Sequence, residues 1–118
     1  QEAYCRIDSA EIRRRPHTSV MADAMLAGEL EVIGRELCNV FEEAIALPEV
    51  ASIYTVMRAH QTLGCMMSGS GSAVFGLFEE KSQAMRCGQA LHREYEEVAV
   101  CRPCSDGPVT EEPDYWIL

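Results

Sequence analysis

A short run of alternating serine and glycine is the part of this sequence best suited to bind a ligand. It joins an apolar run at residues 65–67 to a second apolar run at residues 73–78, and it consists of Ser68, Gly69, Ser70, Gly71 and Ser72. Successive backbone N–H groups in a glycine-rich turn can form a concave site that attracts an anion. The serine hydroxyls add further hydrogen-bond donors. Recognition of a phosphate-like anion is therefore one function that this run could serve.

Familiar nucleotide-binding motifs do not account for the run. A Walker P-loop ends in Gly-Lys-Ser or Gly-Lys-Thr, but the next lysine is Lys81. A Rossmann fingerprint needs a third glycine three positions after the second, followed by a helix, whereas Gly76 lies five positions after Gly71 and its surroundings are strand-like. A flexible linker would join separate domains. On the residues alone, two interpretations stay open: a plain tight hairpin and an anion-related turn.

The cysteines and histidines do not form a second candidate site. Cys101 and Cys104 have the CxxC spacing of zinc and redox sites, but zinc requires two further ligands and no second such pair is present. A redox pair would begin a helix, and here a proline-rich stretch follows. His17, His60 and His92 are far apart in the sequence. We therefore predict no metal site in this chain.

Apolar periodicity predicts five helices and three strands around the serine-glycine run. The helices are expected near residues 3–12, 18–27, 30–45, 48–63 and 84–95, and the strands near residues 65–67, 73–78 and 97–101. Segment 30–45 is the clearest, because its apolar residues recur every three or four positions. This order predicts an α+β domain in which a small antiparallel sheet packs against helices. Since such a sheet has an open edge, we expect a further strand to precede Gln1.

Length and charge limit the class of protein. The 118 residues suit one domain, which we place at residues 1–104, and residues 105–118 form an acidic, proline-rich tail. The net charge of −9 argues against nucleic acid and anionic membranes as partners, and no apolar stretch is as long as a membrane span. Six cysteines in a chain that can bury a core without disulfides predict free thiols and a cytoplasmic protein. Because the chain begins with Gln1, we expect a fragment of a longer protein.

Three stretches of the chain resemble the GHMP kinase superfamily. The sequence "MSGSGSAVFGLF" at residues 67–78 is similar to the third conserved motif of that superfamily. The sequences "EAYCRID" at residues 2–8 and "AGELEVIGRELCNVFEEA" at residues 27–44 are most similar to the members that act on 4-diphosphocytidyl-2-C-methyl-D-erythritol. The resemblance covers roughly residues 2–102, and members of that family are considerably longer than this chain.

The resemblance implies the C-terminal half of an ATP-dependent kinase, with a ferredoxin-like arrangement of sheet and helices. The intact enzyme would phosphorylate the 2-hydroxyl of that substrate in non-mevalonate isoprenoid precursor biosynthesis, using ATP and Mg²⁺. Family members carry the catalytic aspartate and the main phosphate loop in the other half. We therefore expect this chain to hold no catalytic residue, to bind no cofactor alone and to be inactive alone. The residues expected on the nucleotide side of the cleft are Ser68, Gly69, Ser70, Gly71 and Ser72.

Two other functions stay open at this point. The glycine motif is shared across the superfamily, so the substrate could instead be mevalonate, homoserine or a sugar. A non-catalytic binding or interaction module would use the open sheet edge, through which a second copy could also pair. Asn39, within the family-like "NVFEE", either faces the substrate cleft or forms a hydrogen bond between helices. The expected partners are the N-terminal kinase half, a small-molecule substrate and, at the open edge, a second copy.

Overall fold

Six helices and two strands make up the part of the chain that the computed structural model describes, residues 2–102. In chain order these are α1 (Glu2–Ser9), α2 (Thr18–Ala27), α3 (Leu30–Glu36), α4 (Phe41–Ala44), α5 (Pro48–Ala59), β1 (Gly64–Met67), β2 (Val74–Leu77) and α6 (Lys81–Leu91). Cys104 and the tail predicted at 105–118 lie outside the described residues. The helices and the small antiparallel sheet confirm the α+β class.

The sheet is a single hairpin whose turn is the serine-glycine run. Strands β1 and β2 pair antiparallel, with Gly64 opposite Leu77 and Met67 opposite Val74. The strand predicted at residues 97–101 is wrong: within residues 2–102 the sheet has two strands, and Cys101 forms only an isolated bridge. Val98 and Val100 instead pack their side chains against the core without joining the ladder. The apolar alternation at residues 97–101 therefore reflects the burial of these side chains and not strand pairing.

The long helix predicted at residues 30–45 is broken in the middle. Helix α3 ends at Glu36, Leu37 has extended backbone angles (φ −55°, ψ 124°), and α4 begins at Phe41. The side-chain Oδ1 of Asn39 accepts a hydrogen bond from the N–H of Phe41 at 3.0 Å. Such local bonds from asparagine to the backbone compete with the helical pattern.

The core consists of two clusters that share Cys65 and Val74 at the hairpin. The first lies between α5, α6 and the end of β2, and its buried members are Met57, Phe78, Ala84, Cys87 and Leu91. The second lies beneath the serine-glycine turn, and its buried members are Val50, Tyr54 and Met67. Because the hairpin contributes to both clusters, its position is fixed on both sides by buried apolar contacts. Helix α2 contributes little, since Met25 is 64% exposed and Leu26 is 89% exposed.

Close backbone contact joins α3 to the beginning of β1. A Cβ atom built on Gly64 would overlap the carbonyl oxygen of Gly34, and one built on Gly34 would lie 2.6 Å from the carbonyl oxygen of Leu63. Only glycine allows two backbones to approach this closely. The contact sets the distance between α3 and the hairpin, and so the position of the chain that follows α3.

Replacing Gly64 with alanine should destabilise the domain, because its Cβ would force the two backbones apart. We expect the free energy of unfolding to fall by about 1–3 kcal/mol, as for other overpacked sites, and urea denaturation would measure it. Gly28→Ala is the control, since Gly28 has φ +71° but no atom within 4 Å of a built Cβ. A loss no larger in Gly64→Ala than in Gly28→Ala would contradict the close contact.

Candidate functional site

The turn between β1 and β2 is a tight structure closed by its own backbone. The N–H of Ser68 donates to the carbonyl of Ala73 at 2.8 Å, and the N–H of Gly71 donates to the carbonyl of Ser68 at 3.1 Å. Gly69 and Gly71 have φ values of +56° and +93°. L-residues with side chains rarely adopt these values, so the alternation of serine and glycine fits the backbone that the turn requires.

This turn presents several hydrogen-bond donors that have no partner within residues 2–102. The N–H groups of Gly69, Ser70 and Ser72 have no acceptor there, and the hydroxyls of Ser68, Ser70 and Ser72 make no hydrogen bond there. All five residues of the turn are exposed. The structure thus brings the five predicted residues together on one surface. These residues include no acidic side chain, so their N–H and hydroxyl groups can donate hydrogen bonds to an anion.

Asn39 holds the beginning of the turn from the break between α3 and α4. Its side-chain Nδ2 donates to the carbonyl of Met67 at 2.6 Å and to the carbonyl of Gly69 at 2.8 Å. The sequence left open whether Asn39 faces a cleft or bonds to another helix. The structure shows a third arrangement, in which the amide bonds to the backbone on either side of Ser68.

Glu42 contacts the same strand end, and sequence reasoning did not identify it. Its Oε1 accepts hydrogen bonds from the N–H of Met67 at 2.8 Å and from the hydroxyl of Tyr54 at 2.7 Å. Burial, together with the hydrogen bond to Glu42, raises the pKa of Tyr54 far above its usual value. The spacing of Asn39 and Glu42, three positions apart, was the available signal, because such residues share one face of a helical turn.

Two recesses flank the turn. One of about 330 Å³ opens beside its end, where Ser72 and Tyr95 contribute to the lining. The other, of about 280 Å³, opens beside its beginning and is lined in part by Glu42, Leu47 and Met67. The first recess thus adjoins the last residue of the turn, and the second adjoins the last residue of β1.

The remaining candidate residues do not assemble into a site. His17 pairs with Glu36 at 3.0 Å, at the surface between α2 and α3. In the region from residue 2 to residue 102, no three His, Cys, Asp or Glu side chains are grouped as metal ligands would be. Cys38, Cys65, Cys87 and Cys101 are free thiols. No helix among these residues is long and apolar enough to cross a membrane.

A family model described as "GHMP kinases C terminal" matches residues 21–97, which include α3, the hairpin and α6. The chain belongs to this family. The match confirms the resemblance found in the sequence, and it includes Asn39, Glu42 and the whole serine-glycine turn. No solved structure matches the chain significantly.

Curated relatives of the chain carry the name 4-diphosphocytidyl-2-C-methyl-D-erythritol kinase. The relative from Caldicellulosiruptor saccharolyticus is 32% identical over 90% of this chain and 37% of its own length. The relative from Clostridioides difficile is 29% identical over 91% of this chain and 37% of its own length. The chain thus spans a little over a third of the length of these relatives.

The hydrogen bond from Tyr54 to Glu42 should stabilise the domain. We expect Tyr54→Phe to lower the free energy of unfolding by about 1–2 kcal/mol, because a buried bond to a carboxylate is lost while the ring is kept. Urea denaturation would measure the loss. Tyr95→Phe is the matched control, since the Tyr95 hydroxyl has no partner among residues 2–102. Equal stability of the two variants would show that the Tyr54 bond contributes nothing.

Proposed function

We propose that this chain is the C-terminal part of an ATP-dependent kinase and that its turn at residues 68–72 contacts the phosphates of the nucleotide. The observation that carries the proposal is a set of donors on one exposed surface, three N–H groups and three hydroxyls, that have no hydrogen-bond partner among residues 2–102. Membership of a kinase family supports phosphate as the ligand of these donors. Backbone N–H groups suit that task, because they offer fixed partial positive charge without the mobility of lysine.

In phosphoryl transfer, a protein mainly positions the reacting groups and stabilises the charge that develops on them. The hydroxyl oxygen of the acceptor forms a bond to the γ-phosphorus, the bond from that phosphorus to the bridging oxygen of ADP breaks, and the hydroxyl proton passes to a base. The turn would hold the phosphate oxygens through hydrogen bonds during this step. Its side chains are hydroxyls and not the carboxylates that Mg²⁺ usually takes from proteins, so we assign the metal ligands and the base to parts of the protein outside this chain.

For the acceptor we propose the 2-hydroxyl of 4-diphosphocytidyl-2-C-methyl-D-erythritol, in non-mevalonate isoprenoid precursor biosynthesis. The support is the name shared by relatives that match about nine tenths of the chain. Because they are much longer than this chain, we also propose that an N-terminal part completes the cleft and that residues 1–118 alone bind no cofactor and have no kinase activity. A cytoplasmic location stays a prediction from cysteine content.

The substrate and the need for an N-terminal part can be tested in one assay. We expect the intact protein to release ADP from Mg-ATP when supplied with 4-diphosphocytidyl-2-C-methyl-D-erythritol, and residues 1–118 alone to release none above background. Mevalonate, homoserine and a sugar serve as the comparison panel. Faster turnover with any of these would replace the proposed acceptor, and activity of residues 1–118 alone would refute the need for a second part.

The role of the turn can be tested with two glycine-to-alanine variants, one inside the turn and one outside it, at positions with similar backbone geometry. Gly69 and Gly28 both have positive φ (+56° and +71°), and neither has an atom within 4 Å of a built Cβ. Each alanine variant should therefore lose a similar stability, about 1 kcal/mol. We expect Gly69→Ala alone to raise the KM for ATP in the intact protein, because only Gly69 lies in the turn. A KM for ATP that rises equally in both variants would argue against nucleotide contact by the turn.

A further inference from the structure

Asn39, in the break between α3 and α4, and Glu42, in the first turn of α4, both bind the backbone at the base of the turn. We propose that Asn39 and Glu42 are positioning residues that set the direction of the N–H donors in the 68–72 turn, and so the affinity for nucleotide. The inference rests on the proposed function, since it assigns these two residues to the proposed phosphate contact. The Asn39–Glu42 pair itself touches no phosphate in this account.

Asn39 sets the direction of two peptide groups at the base of the turn. In a trans peptide, the carbonyl and the N–H of the next residue point in opposite directions. The bond from Asn39 to the Gly69 carbonyl therefore turns the N–H of Ser70 away from Asn39. The bond from Asn39 to the Met67 carbonyl likewise turns the N–H of Ser68 away from Asn39, where it meets the carbonyl of Ala73. One side-chain amide thus directs two donors, of which that of Ser68 closes the turn and that of Ser70 has no acceptor among residues 2–102.

Asn39 and Glu42 together hold Met67, the residue from which the turn begins. Asn39 holds the carbonyl of Met67 and Glu42 holds its N–H, while the Met67 side chain is 1% exposed in the core. Glu42 is itself held by the hydroxyl of Tyr54 on α5, and its N–H donates to the carbonyl of Asn39 at 3.1 Å. The two side chains are therefore tied to each other, to α5 and to the last residue of β1.

The turn itself contains two glycines, and all five of its residues are exposed. Glycine-rich segments lose much conformational entropy when a ligand orders them. Contacts that order such a segment in advance reduce that cost and keep the donors aimed at the developing charge. The contacts of Asn39 reach the turn directly, because one of its two acceptors is the carbonyl of Gly69, a turn residue.

The variant Asn39→Asp distinguishes the positioning of the turn from the local hydrogen bond between Asn39 and Phe41. Aspartate keeps an oxygen that accepts from the N–H of Phe41, as Oδ1 of Asn39 does, so the beginning of α4 is preserved. It removes the two N–H donors and places a carboxylate near the carbonyls of Met67 and Gly69. Asn39→Ala removes all three bonds. If the bonds from Asn39 to the carbonyls of Met67 and Gly69 position the turn, Asn39→Asp and Asn39→Ala should change the KM for ATP by a similar factor.

Glu42 and Glu43 provide a matched pair on neighbouring positions. Both carboxylates accept backbone N–H bonds: Glu42 from Met67, and Glu43 from Arg13 and Arg14 at 2.8 and 2.7 Å. The bonds from Arg13 and Arg14 lower the pKa of Glu43 below its usual value. Alanine at either position removes a carboxylate that holds backbone, but only Glu42 holds the strand that leads into the turn. Glu43→Ala is therefore the control.

The test measures steady-state kinetics and amide hydrogen exchange of the intact protein. We expect Asn39→Asp and Glu42→Ala to lower kcat/KM for ATP by about ten- to a hundredfold, with a raised KM for ATP, and to speed exchange in the peptide that contains residues 68–72. Glu43→Ala should match the unsubstituted protein in both measurements. Simple loss of folded enzyme would lower kcat and leave the KM for ATP unchanged, and that result would overturn the inference.

The exchange measurement separates this inference from the proposed function. If the unsubstituted protein phosphorylates none of the acceptors, the kinase proposal fails, and the positioning of a nucleotide fails with it, whether or not exchange changes. If the protein is an active kinase but exchange at residues 68–72 and the KM for ATP are the same in Asn39→Asp, the positioning role alone is refuted. Faster exchange together with a raised KM for ATP supports both.

Discussion

The backbone of Met67 is the point on which the candidate site depends. Its N–H is bound by the carboxylate of Glu42, its carbonyl by the amide of Asn39, and its side chain is buried beneath the turn. The N–H and carbonyl groups of the last residue of a strand need hydrogen-bond partners outside the sheet when they are shielded from water. Here the partners are two side chains three positions apart, one in the break between α3 and α4 and one in the first turn of α4. The serine-glycine turn therefore starts from a fixed residue although its own five residues are exposed.

The same hairpin links the site to the stability of the domain. Cys65 and Val74, on neighbouring strands, belong to the surroundings of both buried clusters. The contact of Gly34 with Gly64 positions α3 against β1, and the chain that carries Asn39 follows directly from α3. The contact of Gly34 with Gly64 at the beginning of β1 thus helps to position Asn39, which binds Met67 at the end of β1. Changes in the core or at the glycine contact are expected to reach the turn along this route.

The sequence predicted the elements better than the contacts between them. Local patterns sufficed for the turn, for the beginning of α5 at Pro48 and for the two strands, because proline, glycine and apolar periodicity act over a few residues. The break in segment 30–45 was missed, since Asn39 is held by carbonyls 28 and 30 positions away. The strand at 97–101 was wrong because its valines bury side chains without pairing their backbone. The contacts of Glu42 were not predicted, because its partner Tyr54 lies on another helix.

The central claim is that the donors of the turn that have no partner in the described part of the chain bind phosphate oxygens. A crystal structure of the intact protein with a non-hydrolysable ATP analogue tests it most directly. The account predicts phosphate oxygens at hydrogen-bond distance, about 2.7–3.2 Å, from the N–H groups of Gly69, Ser70 or Ser72, with both bonds from Asn39 to the backbone retained. An ordered nucleotide whose phosphates lie away from residues 68–72 would contradict it.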